Sequence, residues 1–135
     1  MSLEIQQKDR EGVVVLEMKG RITVGKEATA LREKVSELNA ANSKNLVFNL
    51  AGVDYIDSTG LGALVMCAMT LRKAGGNVKL VHLNRRNIEL LVMTKLATSF
   101  EIFTDETDAV GSYYPDRKIK TFDILDFVNK MKNED

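Results

Sequence analysis

The sequence predicts a single α/β domain, in which helices pack against a mixed sheet of four or five strands, with one extra helix at the carboxyl terminus. Two strand patterns joined by a short turn open the chain, and helix and strand patterns alternate from Gly25 onward. The length of 135 residues suits one domain with one hydrophobic core.

The first two strands form a predicted hairpin. Apolar and polar residues alternate over 3–5, the run over 13–18 is rich in valine, and 10–12 supplies the turn. Gly20 ends the second strand, and a short extended piece over 21–24 leads to the first helix. The sheet is therefore expected to begin with an antiparallel pair.

An amphipathic helix follows from Gly25 and ends near 39–42. Its inward positions recur at helical spacing and are Ala28, Leu31, Val35 and Leu38. The compact apolar run over 46–50 predicts a strand that is covered by helices on both faces.

A connection over 51–57 leads to a second helix over 60–71, which is apolar nearly all round and is therefore expected to be largely buried. Gly75–Gly76 ends this helix, because a left-handed residue is favoured there. The next strand, over 78–83, completes a parallel crossover unit.

Three further elements are predicted. Asn84 caps a helix that ends near 95–96, a short strand covers 100–103, and Thr104–Asp105 caps a short helix that ends at Val110. The organised domain is thus expected to span residues 1–110.

Residues 111–135 are predicted to form a linker, broken by Pro115, and an amphipathic helix capped by Thr121. The apolar positions of this helix are Ile124, Phe127, Val128 and Met131, with Leu125 on the flank. It either packs on its own domain or forms a contact with a partner or a second copy, giving a homodimer.

Charge and composition exclude several classes of partner. Lys and Arg number 19, as do Asp and Glu, so no net field attracts nucleic acid or an anionic membrane. Cys67 is the single cysteine, and no Cys/His spacing indicates a metal site. With neither an apolar run of membrane-spanning length nor a signal-peptide pattern, we expect a cytoplasmic protein.

The sequence over 57–62, Asp-Ser-Thr-Gly-Leu-Gly, is the strongest candidate for a functional site. It lies at the carboxyl edge of the parallel sheet, and Ser58 or Thr59 takes a cap or first-turn position that accommodates a phosphate. The two glycines, lacking Cβ, allow a partner to approach the hydroxyl. A purely structural interpretation, in which Ser58 caps the helix and Asp57 supports the cap, explains the same residues.

Two enzyme classes fit less well. A dinucleotide site would require a third glycine where Val65 stands, and the 51–57 connection is too long for a tight phosphate turn. A hydrolase triad of Ser58, Asp57 and His82 would need a nucleophile elbow, but Ser58 does not have glycines both two residues before it and two residues after it. The sulfur-containing residues of the second helix are interpreted as core filling, and these are Met66, Cys67 and Met69.

The chain resembles the STAS domain of bacterial anti-sigma-factor antagonists from about Leu3 to Val110. The residues that carry the resemblance are Asn49–Leu50, Val53, Tyr55–Gly62, Gly75–Gly76 and Val78–Val81. Members commonly carry an acidic residue where this chain has Thr23, in a loop expected beside the motif turn, so partner identity and kinase specificity are open.

The resemblance implies a partner-switching protein that is phosphorylated on the hydroxyl directly after the motif aspartate, which is Ser58 in preference to Thr59. The unmodified antagonist binds an anti-sigma factor that is itself a serine kinase, phosphorylation breaks the complex, and a serine phosphatase reverses it. ATP then belongs to the kinase, and this chain is expected to be no enzyme and to need no cofactor or metal.

The partner-binding surface implied by the resemblance consists of Thr23, Asp54, Asp57, Ser58, Thr59, Gly60, Leu61 and Gly62. The alternative within the same fold is a constitutive scaffold or sensor module that carries no phosphorylation switch.

Overall fold

A computed structural model describes residues 3–133 and shows a five-stranded mixed sheet in the order β1-β2-β3-β4-β5. The first pair is antiparallel and the other pairs are parallel, which confirms the predicted fold class. The strands are β1 (Leu3–Arg10), β2 (Val13–Ile22), β3 (Asn45–Ile56), β4 (Asn77–Val81) and β5 (Glu101–Phe103). Residues 1–2 and 134–135, which form the two ends of the predicted domain and its C-terminal extension, lie outside the described residues.

The helices fall close to their predicted positions. They are α1 (Lys26–Ala40), α2 (Ser58–Lys73), α3 (Arg85–Met93), α4 (Glu106–Gly111) and α5 (Ile124–Asn133), with a 3₁₀ turn over Ala97–Ser99. Asn84 caps α3 as predicted, since its side chain accepts a hydrogen bond from the Asn87 N–H. Gly75, with φ of 88°, takes the left-handed position that ends α2.

The sheet separates two hydrophobic clusters. On one face, α1 and α2 bury residues such as Leu31 and Leu64 against Phe48 of β3. On the other face, α4 contributes Val110, which lies in a smaller cluster with Val47. The central strand β3 is therefore covered on both faces, as its apolar run predicts.

The predicted connection over 51–57 is wrong, because β3 continues through it to Ile56. The second strand likewise does not end at Gly20 but runs to Ile22, which pairs with Ile56. The backbone ladder between β2 and β3 extends beyond the compact apolar run, with Val53 and Ile56 buried at its far end. Only Asp57 separates β3 from α2.

The segment after α4 packs on the sheet instead of forming a free linker. The Tyr113 hydroxyl lies 2.7 Å from the carbonyl oxygen of Leu46 and 2.8 Å from that of Asn77, and so bridges β3 and β4. The Lys79 ammonium lies 4.3 Å from the centre of the Tyr113 ring, a cation–π contact. Tyr113 therefore completes the second face of the sheet.

Thr121 does not cap the last helix. It forms an isolated bridge with Phe103, next to which the Phe122 N–H donates to the Ile102 carbonyl. The Asp123 carboxylate instead accepts a hydrogen bond from the Asp126 N–H at the start of α5. The chain thus extends the sheet edge before it turns into the helix.

Helix α5 packs only lightly on its own domain. None of its described residues is buried, and its clearest contact places the Phe127 ring 5.9 Å from that of Phe122. Leu125 is 76% exposed. The homodimer contact through this helix stays a prediction.

Two truncations separate these contributions. A chain that ends at Gly111 loses the Tyr113 contacts, and we expect its free energy of unfolding to fall by about 3 kcal/mol or more, a drop of about 10 °C in Tm. A chain that ends at Asp123 keeps Tyr113 and Phe122 and should lose no more than about 1 kcal/mol. Thermal unfolding followed by circular dichroism checks both, and equal losses would contradict the assigned role of Tyr113.

Candidate functional site

Asp57 organises the turn between β3 and α2. One carboxylate oxygen accepts a hydrogen bond from the Gly60 N–H at 2.7 Å, which caps α2, and the other accepts from the Val24 N–H at 3.0 Å. The Asp57 N–H in turn donates to the Ile22 carbonyl at 3.2 Å. These three bonds hold the loop between β2 and α1 against the start of α2, which confirms that the two lie side by side.

Ser58 is the first residue of α2, and its side chain is exposed. Within residues 3–133 its hydroxyl has no hydrogen-bond partner. The interpretation of Ser58 as the cap is therefore wrong, because Asp57 already satisfies the Gly60 N–H. Thr59, the second residue of α2, is exposed as well. Both hydroxyls are open to another protein.

The two glycines of the turn have different roles. A Cβ at Gly60 would lie 1.8 Å from the Ile22 carbonyl oxygen, so only glycine allows α2 to approach β2 this closely. A Cβ at Gly62 would meet no atom within 4 Å, and Gly62 is exposed. Gly60 is thus required by the fold, and Gly62 leaves the surface beside Ser58 flat.

The remaining predicted residues lie at different depths. Thr23 is half-buried in the loop that Asp57 holds, and Asp54 is exposed near the end of β3. Leu61 is buried in the main core, so it can affect docking only by supporting α2. The turn itself therefore offers a partner the side chains of Asp54, Ser58 and Thr59.

Sequence reasoning missed the contacts with β3 by which two asparagines, Asn84 and Asn87, fix this edge of the sheet. The buried Asn87 side-chain amide donates to the Val53 carbonyl at 3.1 Å, and that of Asn84 donates to the Asp54 carbonyl at 3.2 Å. These bonds join the start of α3 to the end of β3. The spacing Asn84-x-x-Asn87 carries the capping signal, but nothing in it indicates the contact with β3.

An exposed stripe continues from Ser58 along α2 through Gly62 to Met66 and Met69, at helical spacing. Met66 is 51% and Met69 47% exposed, so their assignment to the core is wrong. Val24, on the adjoining loop, is 66% exposed. We call the surface formed by Ser58, Gly62, Met66, Met69 and Val24 the α2 surface.

Cys67 of α2 is buried, as predicted. Loss of solvent raises the pKa of its thiol to about 12, so the reactive thiolate is strongly disfavoured. The residue acts as a small apolar side chain in the core.

The described atoms do not assemble a hydrolase triad. Both Asp57 oxygens accept backbone N–H groups, and His82 lines a different cavity, with Ile102 and Phe122. Within residues 3–133 there is no group of three or more His, Cys, Asp or Glu side chains that could hold a metal ion, and no helix is both long and apolar enough to cross a bilayer.

The argument from connection length against a dinucleotide site is wrong, because a single residue, Asp57, joins β3 to α2. The missing third glycine remains, since Val65 stands in its place on α2.

Comparison with known proteins places this geometry in context. Residues 4–109 match the model of the STAS domain family. The anti-sigma-B factor antagonist of Bacillus subtilis strain 168 is 35% identical over 102 residues, covering 76% of this chain and 92% of that protein. The crystal structure of an anti-sigma factor antagonist from Mycobacterium paratuberculosis is 23% identical, with a TM-score of 0.70, and covers 82% of this chain and 92% of the other.

SpoIIAA, a Bacillus cell fate determinant and anti-sigma factor antagonist, is 16% identical and shares the fold. Its unphosphorylated and phosphorylated structures both superpose with a TM-score of 0.64. They cover 83% and 82% of this chain and 99% of the SpoIIAA chain.

A matched pair of substitutions tests the different roles of the two glycines. Gly60→Ala should lower the free energy of unfolding by about 3 kcal/mol or more, because its methyl group overlaps the Ile22 carbonyl. Gly62→Ala should raise it by about 0.5–1 kcal/mol through helix propensity. Urea unfolding measures both, and a tolerated Gly60→Ala would show that the close approach of α2 to β2 is not required.

Proposed function

We propose that this chain, which belongs to the STAS domain family and is an anti-sigma factor antagonist, acts by phosphorylation-controlled partner switching at Ser58. Unmodified, it binds an anti-sigma factor that is a serine kinase, and once phosphorylated it releases that kinase. The observation that carries the proposal is the exposed Ser58 hydroxyl, which follows the Asp57 cap directly and has no hydrogen-bond partner within residues 3–133.

The chemistry requires nothing from this chain except the hydroxyl. The kinase transfers the γ-phosphoryl group of its ATP to Ser58 Oγ, ADP leaves, and the hydroxyl proton passes to a base of the kinase. A serine phosphatase later hydrolyses the phosphoester, which restores the Ser58 hydroxyl and releases inorganic phosphate. The chain is then a substrate and binding partner, neither an enzyme nor the holder of a cofactor.

The α2 surface has the character of a docking site around that hydroxyl. Val24 near the turn, and Met66 and Met69 farther along α2, supply apolar contact area, and methionine adapts readily to the shape of a partner. The exposed Asp54 adds one carboxylate near the turn. Thr23 lies in the loop that borders this surface, so its replacement of the usual acidic residue is expected to affect which kinase is recognised.

Phosphorylation acts on this surface through charge. A phosphoserine adds about −1.5 to −2 charges at the point where a partner must remove water from the interface. Burying that charge, or placing it against a partner carboxylate, costs several kcal/mol and lowers affinity by orders of magnitude. The hydrogen bonds from Gly60 and Val24 to Asp57 need not break, because Ser58 takes no part in them.

The setting of this switch is proposed to be the bacterial cytoplasm, with proteins as the only partners. The positive and negative side chains of the sequence balance, so neither nucleic acid nor a membrane surface is an expected partner. The kinase, the phosphatase and the chain then form one reversible cycle.

Intact-mass analysis after incubation with ATP and each candidate kinase of the same genome tests the acceptor. We expect one phosphate adduct on the wild-type chain and on Thr59→Ala, and none on Ser58→Ala, because only Ser58 directly follows the clamped aspartate. An adduct that persists on Ser58→Ala and disappears from Thr59→Ala would move the acceptor to Thr59.

The same kinase separates the switch from a constitutive scaffold. Ser58→Glu should weaken binding at least about tenfold, and Ser58→Ala, which adds no charge, is the control and should bind as wild type does. Calorimetry that finds equal affinity for Ser58→Glu and wild type would favour the scaffold module.

A further inference from the structure

An open cavity of about 250 Å³ lies beside the Ser58 hydroxyl, between the end of β3, the start of α2 and one side of α3. Its β3–α2 wall runs from Tyr55 to Ser58, and its α3 wall includes Arg86 and Glu89. The hydroxyl that we propose as the phosphate acceptor therefore shares a cavity with side chains of another helix.

The charged side chains that line this cavity differ in whether they have a partner of opposite charge or a hydrogen-bond donor. The Asp57 carboxylate is occupied by two backbone N–H groups, and Glu89 forms an ion pair of 2.8 Å with Arg85. Arg86, by contrast, has no carboxylate partner within residues 3–133. Its guanidinium carbon lies 4.3 Å from the centre of the Tyr55 ring, and so the ring holds it at the cavity wall. Arg86 is thus a cation that is supported by an aromatic ring and has no anionic partner among the described residues.

We propose that Arg86 binds the phosphoryl group on Ser58 of the same molecule. The inference rests on the proposed phosphorylation of Ser58 and concerns what the phosphate does once it is attached. A guanidinium donates two parallel hydrogen bonds to phosphate oxygens, an interaction stronger than an exposed cation–π contact. Arg86 can therefore exchange the face of Tyr55 for the phosphate.

Phosphorylation then changes two features that a partner meets around Ser58, one on α2 and one on α3. The phosphate adds negative charge beside Ser58, and it also engages a cation that the unmodified chain offers to a partner on α3. A kinase that uses a carboxylate to contact Arg86 would lose that contact on phosphorylation. The switch would then remove an attraction as well as add a repulsion.

The second ionisation of the phosphate reports the contact directly. Phosphoserine is installed at position 58 during translation, so no kinase is needed, and its phosphorus resonance is followed by ³¹P NMR across the pH range. A neighbouring guanidinium favours the dianion, so we expect a phosphate pKa about 0.5–1 unit lower in the wild-type chain than in Arg86→Ala.

Arg21→Ala is the matched control. Arg21 is also a cation over Tyr55, at 5.9 Å, but it does not line the cavity. It should leave the phosphate pKa as in wild type, and Arg86→Lys should restore part of the shift through charge alone. Asp57, Glu89 and Tyr55 face the cavity in every variant and therefore do not contribute to the differences.

Equal phosphate pKa values in the wild-type chain and Arg86→Ala, or the same change in Arg21→Ala, would overturn the proposal and leave Ser58 phosphorylation standing. Inorganic phosphate added to the unmodified chain provides the second arm. Binding at submillimolar concentration that is lost in Arg86→Ala would assign the cavity to a free anion instead, and its absence supports the contact within the molecule. If no kinase phosphorylates Ser58 in the intact-mass analysis, the proposed acceptor is contradicted, whereas the contact with Arg86 is tested separately by the chain that carries phosphoserine from translation.

Discussion

The site depends on the two hydrogen bonds that the Asp57 carboxylate accepts from backbone N–H groups. It accepts one N–H from the start of α2 and another from the loop after β2, so a single side chain joins two segments far apart in sequence. Gly60 permits this junction, because any larger residue would overlap the Ile22 carbonyl. With the capping role taken, Ser58 is left exposed at a fixed position. The exposure of the hydroxyl thus follows from the occupation of the carboxylate.

Much of the fold can be predicted from local patterns. The alternation of helix and strand periods, the Asn84 cap and the glycine that ends α2 each depend on neighbouring residues, and each is found where predicted. The far end of β3 could not be predicted this way, since Ala51–Ile56 lacks a continuous apolar run and is held by pairing with β2. The contacts of Tyr113 could not be predicted for the same reason, because its hydrogen-bond partners lie on β3 and β4, far away in the sequence.

The turn before α2 lies where the sequence predicts it, but its capping residue was not predicted. Asp57, Ser58 and Thr59 are all good capping residues, so the sequence alone cannot decide which one caps. The hydrogen bond from the Gly60 N–H to Asp57 settles that choice. The second bond, which Asp57 accepts from the distant Val24 N–H, cannot be predicted from the sequence. Similarly, a helix that is apolar nearly all round does not reveal which side faces solvent, and Met66 was therefore assigned to the core.

The fold provides a rigid frame, and the proposed chemical change takes place on its surface. Superposition of both SpoIIAA forms on this chain with the same TM-score shows that the fold is common to a phosphorylated and an unphosphorylated protein. In this chain the frame is the Asp57 junction, and the proposed phosphorylation of Ser58 concerns a hydroxyl outside that junction. A partner would then distinguish the two forms by the charge and contacts of one surface.

Amide hydrogen exchange at Val24 and Gly60, compared between the unmodified chain and the chain that carries phosphoserine at position 58, tests this claim most directly. We expect the protection factors of the two forms to agree within about threefold, because both N–H groups stay bonded to Asp57. A loss of protection of about 100-fold in the phosphorylated chain would contradict it, since the phosphate would then open the junction.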